Sequence, residues 1–137
     1  MGRASTKEEN VYYIVESKKS MEEAAADLEA AIVRNGFGVM HVHDLGNTLR
    51  SKGVSFQSQC KVFEICNPIQ ASKVLAADLR INMALPCRIS VFADTSGTRL
   101  GLIRPMAMLE ALSNDPALLE VAQEVEETTI RMIDEAR

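Results

Sequence analysis

The sequence predicts an α+β domain in which helices pack on one face of a mixed β-sheet. Segments rich in β-branched and aromatic residues alternate with amphipathic segments along the whole chain. A short turn joins two of the predicted strands, whereas predicted helices join the others. This combination of a hairpin with helical crossovers favours a two-layer arrangement. The length of 137 residues and the 47% content of apolar residues are those of one globular domain.

The first strand and the first helix follow each other near the start of the chain. The stretch "NVYYIVES", residues 10–17, is typical of a strand. Ser20 and Glu23 have the spacing of a capping box, which predicts a helix start. Asn35 and Gly36 tolerate a left-handed backbone and predict its end. Apolar residues at helical spacing predict one inward face: Met21, Ala24, Ala25, Leu28, Ala31 and Ile32.

Two further strands and two helices are predicted in the middle of the chain. Residues 37–43, "FGVMHVH", are typical of a strand, and Asp44 is suited to cap a short helix that ends at Gly53. The stretch "FQSQCKVFEIC" predicts the third strand. Asn67 and Pro68 then predict a helix start, because asparagine caps and proline has no intrahelical bond to lose at the first position.

The last third of the chain contains a predicted hairpin and two helices. The helix that starts at Pro68 is expected to end near Ala77. The strands "PCRISVFA" and "TRLGLIR" are separated by "DTSG", which predicts a tight turn. Pro105 opens the next helix, and Asp115 with Pro116 opens the last one.

Charge and composition exclude several classes of function. The formal net charge of −4 favours neither nucleic acid nor an anionic membrane as a partner, and no apolar run is long enough to span a bilayer. Residues 1–6 match the N-myristoylation pattern M-G-x-x-x-[ST], but residues 1–9 are predicted to be a disordered start to a single domain over residues 10–137. The three cysteines do not have the close spacing of a disulfide framework, which is typical of free thiols in a reducing cytoplasm.

Two of the cysteines are candidate functional residues. Cys66 directly precedes a predicted helix cap, where the positive helix terminus lowers a thiol pKa. Cys87 shares a predicted strand face with Ile89, Val91 and Ala93, which favours burial in the core. The sequence leaves open whether the two thiols are close, reactive or simply buried.

The two histidines are a weaker candidate. Strand alternation places His41 and His43 on one face together with Phe37 and Val39, at a spacing suited to zinc or copper. Cys66 or Asp44 would be needed to complete such a site. Because no second ligand motif accompanies the pair, an exposed pair is favoured and no metal site is predicted.

Three motifs together resemble the domain of unknown function 302 family. The stretches "GFGVMHVHD", "EICNP" and "ALPCRISVF" occur in the order of that family's turn, Cys-Asn-Pro and Leu-Pro-Cys motifs, and the resemblance covers roughly Val11 to Leu109. It implies a fold similar to the TATA-binding-protein-like layout, often seen as a homodimer. It implies no agreed activity.

The predicted function is therefore a cytoplasmic small-ligand-binding or interaction domain. Its candidate site comprises Cys66, Asn67, Pro68 and Cys87. The alternative is a thiol-based redox, sulfur-transfer or soft-metal-handling protein that uses Cys66 and, in some versions, Cys87. No nucleotide-binding loop or G-x-S-x-G motif occurs, and the sequence leaves enzymatic activity and cofactors open.

Overall fold

The structure is a computed structural model that describes residues 10–137. The myristoylation pattern and the predicted disordered start lie outside the described residues. The strands are β1 (Tyr12–Ser17), β2 (Gly38–Asp44), β3 (Gln59–Cys66), β4 (Cys87–Asp94) and β5 (Gly97–Ile103). The helices are α1 (Met21–Arg34), α2 (Leu45–Ser51), α3 (Pro68–Ala77), a 3₁₀ helix (Leu79–Ala84), α4 (Pro105–Leu112) and α5 (Pro116–Ala136).

The strands of residues 10–137 form a five-stranded sheet in the order β1-β5-β4-β3-β2. Each neighbouring pair is antiparallel, so the prediction of an α+β sheet is confirmed but the mixed strand directions are wrong. The prediction assumed that a helical crossover joins neighbouring strands. Instead, α1 makes its crossover between the two edge strands, β1 and β2, whereas α2 and α3 join neighbouring strands at the same sheet end, so those neighbours are antiparallel.

One face of the sheet is covered by α1 and α5, which also contact each other. The strands bury the alternating residues that point to these helices, such as Val15, Phe63, Ile89 and Leu100. The predicted inward residues of α1 are all buried, as is a matching row on α5. The two-layer arrangement thus follows from two helices that each have one apolar face.

The predicted caps stabilise the helix starts. The Ser20 hydroxyl accepts a hydrogen bond from the Glu23 amide at 3.2 Å, and the Asp115 carboxylate accepts one from the Ala117 amide at 2.9 Å. The end of α1 is also as predicted, because Gly36 adopts a φ of +84°. Local sequence therefore sets most element boundaries.

Two features of the chain path were not predicted. The third strand begins at Gln59, three residues after the expected Phe56. The 3₁₀ helix Leu79–Ala84 was missed altogether, although Asp78 caps it through the Arg80 amide at 3.0 Å. Because Leu79 and Met83 are apolar but exposed, this segment lacks the periodic spacing of buried apolar residues that usually marks a helix.

No helix within residues 10–137 is both long enough and apolar enough to cross a bilayer.

Candidate functional site

An apolar cavity of about 290 Å³ lies between the ends of β3 and β4 and the helices α3, α4 and α5. Most of its wall consists of aliphatic, aromatic and thioether side chains. Representative residues are Phe37, Ile65, Val74, Met108, Leu109 and Val125. An engineered apolar cavity of about 150 Å³ is enough to bind benzene. This cavity therefore has room for an apolar molecule of about twice that size.

The Cys-Asn-Pro motif supplies one side of the cavity. Cys66 ends β3 and lies at the cavity wall, next to Asn67. The Asn67 side chain accepts hydrogen bonds from the amides of Ile69 and Gln70, and it donates one to the Gly36 carbonyl at 3.3 Å. Asn67 therefore starts α3 and also fastens that start to the turn before β2.

The Leu-Pro-Cys motif supplies the opposite side. The peptide bond between Leu85 and Pro86 is cis, and both residues line the cavity with Cys87. Cys87 pairs with Ile65 in the sheet, which places it on the core-facing side as predicted. The two motifs thus meet at adjacent strand ends, because β3 and β4 are neighbours in the sheet.

The Cys87 thiol is held in its neutral form. Burial raises its pKa from the ordinary value of 9.0 to about 11, and the nearby Cys66 adds to this shift because a second negative charge would be repelled. The adjacent Arg88 opposes the shift only weakly. At neutral pH Cys87 is therefore a poor nucleophile.

Pro68 lies apart from the other three candidate residues. It is exposed and is not part of the cavity wall. Its role is local, because proline at the first position of α3 leaves no helix hydrogen bond unmade. The structure therefore brings Cys66, Asn67 and Cys87 together and leaves Pro68 outside.

A carboxylate on α5 holds α4 in place over the cavity. The start of α4 has no side-chain cap of its own. Instead, Glu126 of α5 accepts a hydrogen bond from the Met106 amide at 3.1 Å and lies 3.6 Å from the Arg104 guanidinium. A negative charge at a helix N-terminus is favourable, so Glu126 positions the wall that carries Met108.

The two histidines lie on the opposite face of the sheet. Their ring centroids are 4.4 Å apart, and His43 Nε2 lies 2.8 Å from Glu64 Oε1. The prediction that Phe37 and Val39 share their face is wrong, because both pack in or against the core and a β-bulge between Val39 and His41 breaks the alternation. Among residues 10–137, no three His, Cys, Asp or Glu side chains converge on a point that could hold a metal ion.

Sequence inspection missed most of the cavity wall. Met108 and Val125 look like ordinary core positions of amphipathic helices, and Phe37 like an ordinary strand residue. Only the distances between β3, β4, α3, α4 and α5 decide whether such residues form a cavity wall or a filled core. The sequence contains a partial signal of the cavity, because the Cys-Asn-Pro and Leu-Pro-Cys motifs flank the same end of the sheet.

A family model described as "Domain of unknown function DUF302" matches residues 13–136. The match continues through α5, beyond the limit near Leu109 that the motifs suggested. The chain is also similar to a protein solved as "Crystal structure of uncharacterized conserved protein DUF302 from Bacillus stearothermophilus". That comparison has 31% sequence identity and a TM-score of 0.88, and covers 93% of this chain and 98% of the other. No curated protein matches the sequence.

Proposed function

The chain belongs to the DUF302 family, and from this premise we propose that it is a binding domain for a small apolar ligand. The observation that carries the proposal is the 290 Å³ cavity, whose wall is almost free of polar groups. Ligand sites in proteins are mostly apolar clefts with a few polar groups at defined places. Cys66, Asn67 and Cys87 belong to this site.

Binding of a neutral apolar probe tests the proposal. Octan-1-ol titrated into the protein is expected to give saturable heat in calorimetry and to raise the melting temperature. The substitution Ala71→Phe places a ring at the cavity wall and is expected to abolish both effects. Ala26→Phe, at an exposed position of α1, is the matched control and should leave binding intact. Absence of octan-1-ol binding to the wild-type protein would refute the proposed function.

The competing proposal is thiol chemistry, and soft-metal handling is its best supported form. Cys66 and Cys87 line the same cavity as the thioethers of Met40 and Met108. Thiolate and thioether ligands select Cu(I). Two thiols that bind one Cu(I) as thiolates release two protons, and the two Cu–S bonds formed must drive the unfavourable ionisation of Cys87.

Anaerobic competition with a Cu(I) chelator separates the two proposals. Soft-metal handling requires that the protein take one Cu(I) from bathocuproine disulfonate, and that Cys66→Ser and Cys87→Ser each remove this capacity. Cys60→Ser is the control, because this third free cysteine is not part of the cavity wall. Equal metal retention by all four proteins, or none by the wild type, would rule out this alternative.

We also propose that the chain forms a homodimer through the β1 edge of the sheet face opposite α1 and α5. Three apolar side chains on that face, those of Tyr12, Ile14 and Ile103, are about half exposed. Light scattering is expected to give about twice the chain mass of 15.0 kDa. Ile14→Glu should produce monomers, whereas Val33→Glu on exposed α1 surface should not. A wild-type mass of one chain would refute the dimer.

A cytoplasmic location is part of the same proposal. All three cysteines are free thiols, which is the normal state of cysteine in a reducing compartment. Fractionation of cells that produce the tagged protein tests this directly. Recovery in a secreted or membrane fraction would contradict it.

A further inference from the structure

A second cavity lies where β4 and β5 separate. Their pairing ends at Ser90 and Gly101, although β4 begins at Cys87 and β5 continues to Ile103. The separated strand ends enclose about 210 Å³. Residues of both strands line this space, among them Arg88 and Ile103.

The second cavity adjoins the first. The two share part of their walls, namely Ala84, Pro86, Cys87, Pro105 and Met108. Cys87 and Met108 therefore stand at the junction of the two spaces. An elongated molecule that occupied both spaces would pass these two residues.

The far end of the second cavity, at Arg88, carries a charge, whereas the wall of the first cavity holds no charged residue among residues 10–137. Arg88 pairs with Glu64 in the sheet register, on the face opposite the helices. The contact of Arg88 Nη2 with Glu64 Oε2 is long, at 3.4 Å, while Glu64 makes a shorter contact of 2.8 Å with His43. A guanidinium has five N–H donors in a planar fork suited to a carboxylate. Arg88 thus retains donors for an anionic group at this end.

We propose that the two cavities together bind a linear aliphatic carboxylate, with its chain in the apolar cavity and its carboxylate at Arg88. The inference rests on the proposed function, because it names the ligand class of the same site. The first cavity accounts for the aliphatic chain, and the guanidinium accounts for the charged end. Cys87 is then a neutral part of the wall along which the chain passes, consistent with its burial.

Comparison of octanoate with octan-1-ol tests the role of the charged end. The two probes share a chain length and differ in the terminal group. Octanoate is expected to bind the wild-type protein about tenfold more tightly, since Arg88 is half exposed and water weakens the pairing. Arg88→Gln should abolish this preference, so that octanoate then binds no more tightly than octan-1-ol does to the same variant. Arg88→Lys keeps the charge and should retain part of the preference.

Arg99→Gln is the matched control for Arg88→Gln. Arg99 lies on the same sheet face, pairs with Asp94 at 2.8 Å and lines neither cavity. It should keep the tenfold preference for octanoate. Equal loss of the octanoate preference in both variants would mean that octanoate responds to the overall positive charge and not to Arg88 itself, which would overturn the proposal.

A chain-length series tests whether the two cavities are continuous. Each added CH₂ group that enters an apolar cavity strengthens binding by about fourfold. Affinity is therefore expected to rise by about fifteenfold from butanoate to hexanoate and again from hexanoate to octanoate. A plateau at butanoate would show that the chain does not pass Cys87.

The outcomes separate this inference from the proposed function. Octan-1-ol binding without any preference for octanoate, or a preference that survives Arg88→Gln, overturns the carboxylate ligand and leaves the apolar site standing. Failure of both probes to bind the wild-type protein overturns the site itself.

Discussion

Cys66 and Cys87 line one cavity from neighbouring antiparallel strands, one residue out of register, since Cys87 pairs with Ile65. The two motifs that contain them are separated by α3 and the 3₁₀ helix in sequence. The nearby Cys66 contributes to the raised pKa of Cys87. Cys66 thus acts electrostatically on Cys87, and both cysteines are free thiols.

The pH dependence of stability should report the Cys87 thiol. Its folded pKa of about 11 exceeds the ordinary value of 9.0, so the folded state holds the proton more tightly. The resulting stabilisation, about 2 to 3 kcal/mol, is complete below pH 9 and is lost as the pH rises through 11. Urea unfolding between pH 8 and 11 measures it. Cys87→Ala should show a smaller loss over this range, and an identical profile would contradict the burial of the thiol.

The cap of α3 should contribute measurably to stability. Asn67→Ala removes the acceptor for the Ile69 and Gln70 amides and is expected to lower the free energy of unfolding by about 1 kcal/mol. Asn67→Asp keeps an acceptor at the helix N-terminus and should cost less. Urea denaturation of the two variants gives the comparison, and equal losses would assign the effect to the bond with Gly36 instead.

Glu126 should matter because it replaces the missing cap of α4. Glu126→Ala leaves the Met106 amide without this acceptor and is expected to cost about 1 to 2 kcal/mol in unfolding free energy. Glu126→Gln keeps an acceptor and removes the charge, so it should cost less than the alanine variant. A larger loss in Glu126→Gln than in Glu126→Ala would contradict this role.

Gly101 should tolerate no side chain. A Cβ at this position would lie 2.9 Å from Ile14 Cγ1 and 3.0 Å from the Tyr13 carbonyl oxygen, so the strand β1 must move. Gly101→Ala is expected to lower the free energy of unfolding, and with it the melting temperature, by an amount equivalent to about 1 to 3 kcal/mol.

Gly38 provides the matched control on another strand. A Cβ there meets only the Cys66 carbonyl oxygen at 3.9 Å, an ordinary contact. Gly38→Ala should therefore leave the melting temperature almost unchanged. If both variants lose equal stability, the close approach of Ile14 is not the reason.

The sequence by itself determined the elements and most of their ends. Ser20, Asn67 and Asp115 act on amides two or three residues away, so their effect is independent of the rest of the fold. The amphipathic faces of α1 and α5 likewise predict which residues are buried. The α+β class and the DUF302 family follow from this local information and from the two motifs.

Only the tertiary structure decided the strand directions and the site. The helices α2 and α3 return the chain at the same sheet end and α1 joins the two edges, so neighbouring strands are antiparallel, and the bulge between Val39 and His41 reverses the face of Val39. The cavity exists because α3, α4 and α5 approach the ends of β3 and β4 without filling the space between them. Such a space depends on packing between residues distant in sequence, and no local pattern in a single chain encodes it.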